Sequence, residues 1–156
     1  MRKFTHIFSV SKDDILYVTD PCYKDGTWCQ FKTKVKPGIY NIYYSVRDYR
    51  VAAIKITHSA LIAEERTDKN IEKFHDIGVD SGLCGFFVNK PNYTEEQWIN
   101  ICNNLNPHGY TLEGTIVESP YKCNGIIASS GYGDGCYTVK YKKKNDEIYS
   151  LELRFI

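Results

Sequence analysis

What this sequence lacks closes off several classes of protein. No apolar stretch approaches the roughly 20 residues that a membrane-spanning helix needs, so a membrane is not an expected partner. The N-terminus, MRKFTHIFSVSKDD, starts basic but offers only a scrap of apolar sequence before Lys12-Asp13-Asp14. It does not read as a secretory signal, and the expected location is cytoplasmic. Excess charge is missing too: 20 Lys and Arg against 19 Asp and Glu leave a formal charge of +1. A globally basic surface for gripping nucleic acid is absent, so nucleic acid is not an expected partner. The six cysteines, at positions 22, 29, 84, 102, 123 and 136, include no C-x-x-C pair, so no zinc ribbon is written here. In a cytosolic chain they read as reduced thiols, although an even count leaves disulfides open. There is no G-x-x-x-x-G-K-[ST] phosphate loop, and no cofactor is called for.

The chain is rich in tyrosine, 13 residues against a single methionine in 156, and Tyr, Ile, Val and Thr suit half-buried strands. Two hairpins are predicted from alternation. In the first, Tyr40, Ile42, Tyr44 and Val46 share a face, the turn is Arg47-Asp48-Tyr49-Arg50, and Ala52, Ile54 and Ile56 alternate on the return strand. In the second, Tyr137, Val139 and Tyr141 are followed by a solvated tip, Lys142-Lys143-Lys144-Asn145-Asp146-Glu147, and then by alternating Tyr149, Leu151, Leu153 and Phe155. Opposite charges on the outer faces could pair across this ladder. Further strands are predicted at Thr5–Val10, Ile15–Thr19, Thr27–Thr33, Phe74–Asp80, Gly82–Val88 and Gly125–Ser129. One helix is predicted: Thr94 and Gln97 match a capping box, and Trp98, Ile101, Cys102 and Leu105 form an apolar stripe that places Cys102 in the core, with Asn106-Pro107 as the stop. Ala60–Asn70 reads either as a strand end plus loop or as a short helix. With no linker or repeat, the expectation is one globular domain over residues 1–156. Its class is mainly β (α+β): an antiparallel β-sandwich or partly closed barrel, with one principal amphipathic helix over about 94–105.

The chemistry collects in three loops at strand boundaries: VTDPCYKDG at Val18–Gly26, VDSGLCGFF at Val79–Phe87, and ASSGYGDGCYTV at Ala128–Val139. Each sets an aspartate beside turn residues with a cysteine close behind: Asp20 with Cys22, Asp80 with Cys84, Asp134 with Cys136. Singly, each aspartate reads as ordinary turn chemistry, its carboxylate accepting from the backbone two residues on. The third loop has more glycine than a turn requires, which suits either a glycine bulge or a backbone that presents N–H groups to an anion. Together the loops could offer hard oxygen ligands for Mg²⁺, Ca²⁺ or Mn²⁺, or, through Cys22, Cys84 and Cys136, a zinc site. A Cys22/His75 nucleophile and base is a further option, since His75 alone among the four histidines adjoins a carboxylate, Asp76.

The combination of DPCY at Asp20–Tyr23, VDSG at Val79–Gly82 and SSGYGDGCYTV at Ser129–Val139, with a terminal strand ending LELRFI, resembles a family of uncharacterised bacterial and phage proteins. The central segment VKPGIYNIYYSVRDYRVAAIKITH is similar as well. Leu83 stands where that family usually carries Gln. The resemblance supplies no reaction. It implies that the three loops act together, in a bacterial or phage setting.

The leading expectation is a binding module for a small polar or anionic ligand, nucleotide-like molecules included. Asp20, Cys22 and Tyr23 would contribute from the first loop and Asp80 and Ser81 from the second. Ser130, Gly131, Tyr132, Gly133, Asp134 and Gly135 would contribute from the third. The alternatives are a metal-assisted hydrolase built on Asp20, Asp80 and Asp134, and a protein-interaction role such as immunity or counter-defence against a host protein. Exposed aromatics would mark the last.

Overall fold

The computed structural model of the chain describes residues 1–66, 72–105 and 116–156. Two antiparallel sheets pack as a sandwich and do not close into a barrel. The larger sheet orders its six strands as β1 (Arg2–Val10), β4 (Gly38–Arg47), β5 (Arg50–His58), β11 (Glu147–Arg154), β10 (Gly135–Lys144) and β6 (Glu72–Val79). The smaller runs β3 (Phe31–Thr33), β2 (Leu16–Thr19), β7 (Leu83–Val88), β9 (Asn124–Ser129) and β8 (Ile116–Glu118), the last a short strand that no alternation announces.

The main core lies between the sheets. Leu16, Val18, Phe86 and Ile126 of the smaller sheet meet Ile42, Ile54, Val139, Leu151 and Leu153 of the larger. The smaller sheet is also covered on its far side, where Leu83, Phe87 and Ile127 pack against Tyr93 and against Ile101 of a helix, Glu95–Leu105. With both faces covered, all six residues of β7 are buried, which explains why LCGFFV shows no alternation. The capping box forms in full: Thr94 N–H donates to Gln97 Oε1 at 3.0 Å and Gln97 N–H to Thr94 Oγ1 at 3.1 Å. Ile101 is buried, but Trp98, Cys102 and Leu105 are half-buried at the helix flanks, so Cys102 is not a plain core residue. The expected stop at Asn106-Pro107 lies outside the described residues.

Several expectations change for local reasons. A bulge at Ala52, the extra residue between the pairs Ser45–Ala53 and Val46–Val51, makes Val51 rather than Ala52 join the sandwich core, while Val46, beside the hairpin turn, is exposed. A second bulge, after Lys142, makes Ile148 rather than Tyr149 join the sandwich core. The hairpin tip is Asn145-Asp146, both at positive φ, and the three lysines before it belong to β10. Lys142 is not solvated: its side chain is 14% exposed, and its ammonium reaches Glu65 at 3.6 Å and Glu72 at 3.7 Å. Lys140 likewise pairs with Glu72 of β6, at 3.1 Å. Glu65 ends a short helix, Ile62–Glu65, that follows a 3-10 turn at Ser59–Leu61, so the ambiguous segment is helical there; its residues 67–70 lie outside the described residues. The strand predicted over Thr27–Thr33 shrinks to its last three residues, because Thr27 N–H closes a turn onto the Lys24 carbonyl at 3.2 Å.

Candidate functional site

The topology brings the three loops to one end. β2 pairs antiparallel with β7, so the exit of β2 at Thr19 lies beside the entry of β7, with Thr19 opposite Gly85. β6 crosses to β7 through residues 80–82, and β9 crosses back to β10 through residues 130–134. These crossings run side by side, with Leu83 opposite Ser129, Gly135 opposite Val79, and Ser130 N–H donating to the Gly82 carbonyl at 3.0 Å.

Asp20 joins the first loop to the second. Locally it opens a turn: its carbonyl accepts from Tyr23 N–H at 3.1 Å, Pro21 supplies the fixed φ of the next position, and Oδ1 accepts from Cys22 N–H at 2.8 Å. The same carboxylate then reaches across. Oδ1 also accepts from Ser81 Oγ at 2.6 Å, and Oδ2 accepts from the N–H groups of Asp80 and Ser81 at 2.8 and 2.7 Å. Asp20 is fully buried and accepts four hydrogen bonds, which occupy the acceptor sites of a carboxylate. It organises the end and has nothing left for a ligand. Ser81 is spent in the same clasp.

Tyr23 adds a second link by donating to Asp80 Oδ2 at 2.6 Å, and burial together with the Asp80 carboxylate raises its pKa. The Tyr23 carbonyl accepts from Lys90 Nζ at 2.9 Å. That ammonium lies 4.9 Å from the Tyr93 ring centroid, and burial lowers its pKa. Cys22 sits inside the clasp, where burial, together with the neighbouring carboxylates of Asp20 and Asp80, raises its thiol to about 12. A thiol held protonated in this way is a poor nucleophile. His75 is occupied elsewhere, stacked on Phe31 at 4.5 Å between centroids.

The glycine loop is a self-bonded turn. Gly133 N–H donates to the Ser130 carbonyl at 2.9 Å, and Ser130 Oγ donates to the Gly133 carbonyl at 2.8 Å. Tyr137 Oη lies 2.6 Å from the Gly133 carbonyl and 3.1 Å from that of Ser130, while Arg50 Nη1 donates to the Gly131 carbonyl at 3.3 Å. The N–H groups of Ser130 and Gly133, expected as donors to an anion, are thus used inside the protein. Gly131 has a structural cause: at φ +60, a Cβ there would lie 2.9 Å from Phe155 Cβ. Gly133, at φ +113, faces open space and answers only to the turn.

Of the aspartates, Asp80 and Asp134 reach solvent. They flank Gly82: Asp80 lies two residues before it, and Asp134 Oδ1 lies 4.0 Å from where a Gly82 Cβ would sit. The cysteines do not gather. Cys84 is fully buried in the sandwich core, Cys22 is in the clasp, Cys136 is exposed, and all six are free thiols. Among the described residues, no group of three or more His, Cys, Asp or Glu is placed to hold a metal ion. No helix among them is long and apolar enough to cross a membrane.

Other residues at this end belong to none of the predicted site. Trp28, in the loop after Asp20, is 90% exposed; Tyr49, at the tip of the β4–β5 hairpin, is 85% exposed. Tyr132, which the sequence does single out, is 68% exposed. The Arg50 guanidinium lies 4.9 Å from the Tyr132 ring centroid, which joins the hairpin to the glycine loop. The sequence does carry a signal for Tyr49. Asp48 and Tyr49 both take positive φ, 50° and 62°, at a turn where Asn-Gly would be the relaxed choice. No family model matches the chain, and no curated protein or solved structure matches it.

Proposed function

We propose that the protein is a binding module whose loop end recognises a macromolecular partner through Trp28, Tyr49 and Tyr132, with Asp80 and Asp134 supplying polar contacts. The observation that carries this reading is the exposure of three large aromatic rings on loops that are otherwise tightly tied down. Tyrosine and tryptophan supply rigid contact area at low entropic cost and are enriched at protein interfaces. The clasp of Asp20 and the self-bonded glycine turn hold the loops in place before binding, which lowers the cost of association. A small anionic ligand fits less well, because the Ser130 and Gly133 N–H groups are engaged within the protein and two exposed carboxylates stand beside them. A small ligand rich in hydrogen-bond donors is the second reading, favoured by Asp80 and Asp134 flanking Gly82.

The resemblance to bacterial and phage proteins makes bacterial lysate the setting for the test. Immobilised wild-type chain is compared with a Trp28→Ala, Tyr49→Ala, Tyr132→Ala variant of matched thermal stability. The expected result is a stoichiometric component retained by the wild type and lost with the three rings. Equal retention by both would overturn the assignment of the aromatic surface.

A further inference from the structure

The end of the smaller sheet opposite the three loops carries a cavity of about 490 Å³. It lies among three turns: the one joining β1 to β2, the one leaving β7, and the β8–β9 hairpin turn. We propose that this cavity binds a neutral polyhydroxylated small molecule of monosaccharide size, with Ser11, Asp14, Asn89, Tyr121, Lys122 and Asn124 as its polar lining. The volume falls within the roughly 300–1,000 Å³ of small-molecule sites.

The walls are fixed in advance. Asp14 Oδ2 accepts from Ser11 N–H at 2.7 Å and Oδ1 from the Asn89 side-chain amide at 2.8 Å. Asn89 Oδ1 accepts from Ile15 N–H at 2.9 Å, and the Asn124 side-chain amide donates to the Ser9 carbonyl at 2.8 Å. Seven of the described non-glycine residues have positive φ, and three of them, Asn89, Tyr121 and Lys122, border this one cavity. Such residues cost stability and concentrate at ligand clamps. Tyr121 and Lys122 form the two-residue turn itself, where glycine or asparagine would be relaxed, so an aromatic ring and an ammonium are held at the rim at a conformational cost.

The chemistry of the lining selects the ligand. It holds one ammonium, Lys122, and one carboxylate, Asp14, so the site is neutral overall and disfavours a phosphate or other strong anion. Carboxylate, amides, hydroxyl and ammonium together offer both donors and acceptors, which is what a sugar's hydroxyls require, and Tyr121 offers an aromatic surface to its C–H groups.

The test is saturation-transfer NMR on the whole chain with glucose, galactose, mannose and ribose, and with inorganic phosphate followed by protein amide shifts. The informative variant is Lys122→Gly. It removes the ammonium and relieves the positive φ, so thermal stability should hold or rise while affinity falls. Loss of a charge-assisted hydrogen bond corresponds to weakening by about tenfold. The expected result is transfer to at least one sugar, weakened in Lys122→Gly and unchanged in the Trp28/Tyr49/Tyr132 variant. The proposal is overturned if no sugar shows transfer at millimolar concentration, if binding survives Lys122→Gly, or if phosphate rather than a sugar shifts the amides around residues 121–124.

Discussion

Asp20 accepts four hydrogen bonds from two loops separated by 60 residues, and its replacement should be costly. In Asp20→Asn an amide would point N–H at N–H, leaving buried donors unsatisfied. The expected loss is about 2–4 kcal/mol of unfolding free energy in urea at unchanged m-value. A loss below about 0.5 kcal/mol, the level of an ordinary surface change, would remove the clasp from the account. Cys22 gives a chemical readout of the same environment. With its thiol raised to about 12, little thiolate exists at pH 8. Brief iodoacetamide treatment at that pH should modify exposed Cys136 first and Cys22 and buried Cys84 last, as read by peptide mass mapping. Early labelling of Cys22 would mean that the clasp is open in solution. Gly131 and Gly133 separate packing from turn strain. Gly133→Ala faces open space but sits at φ +113, outside the left-handed well, and should cost about 1–3 kcal/mol for backbone strain alone. Gly131→Ala, at φ +60 in the left-handed well, should cost about 1–2 kcal/mol for positive φ and about 1–3 kcal/mol more for the collision with Phe155. A Gly131→Ala loss in thermal or urea unfolding no larger than about 1–2 kcal/mol, the cost of positive φ alone, would contradict the close packing of Phe155 on this loop.

At the scale of elements, legibility in the sequence tracks the range of the interaction. The capping box of Thr94 and Gln97 is local chemistry over three residues, and it forms as its pattern predicts. Thr94→Ala should cost about 1 kcal/mol, measured by the same unfolding transition. The turn opened by Asp20 is equally legible, since an aspartate before proline bonds its own nearby backbone. Its reach to Asp80 and Ser81 is not, because that pairing exists only once β2 lies antiparallel to β7. Alternation locates both long hairpins but fails at Ala52 and Tyr149, each the extra residue of a bulge, so that Val51 and Ile148 take their places in the core. Lys142 departs from expectation because a charge run looks solvated until a helix carrying Glu65 is laid over the sheet.

At the scale of the whole molecule, the β6–β7 and β9–β10 crossings between sheets occur at the same end as the exit of β2, and this places all three loops together. Their convergence comes from topology, which no single loop encodes. The composition of each loop suggests a ligand site, whereas the assembled end spends most of that polar chemistry on rigidity and presents aromatic rings beyond it. The polar cavity at the opposite end is formed by different turns, so the two sites can be tested separately. The most direct measurement of the central claim is hydrogen–deuterium exchange of the chain with and without the component captured from bacterial lysate. The account predicts added protection at residues 20–30, 47–50, 80–82 and 130–135, with the β1–β2 and β8–β9 turns unchanged. Protection confined to the sheet faces or to the opposite end, or none at any loop of the clasped end, would contradict it.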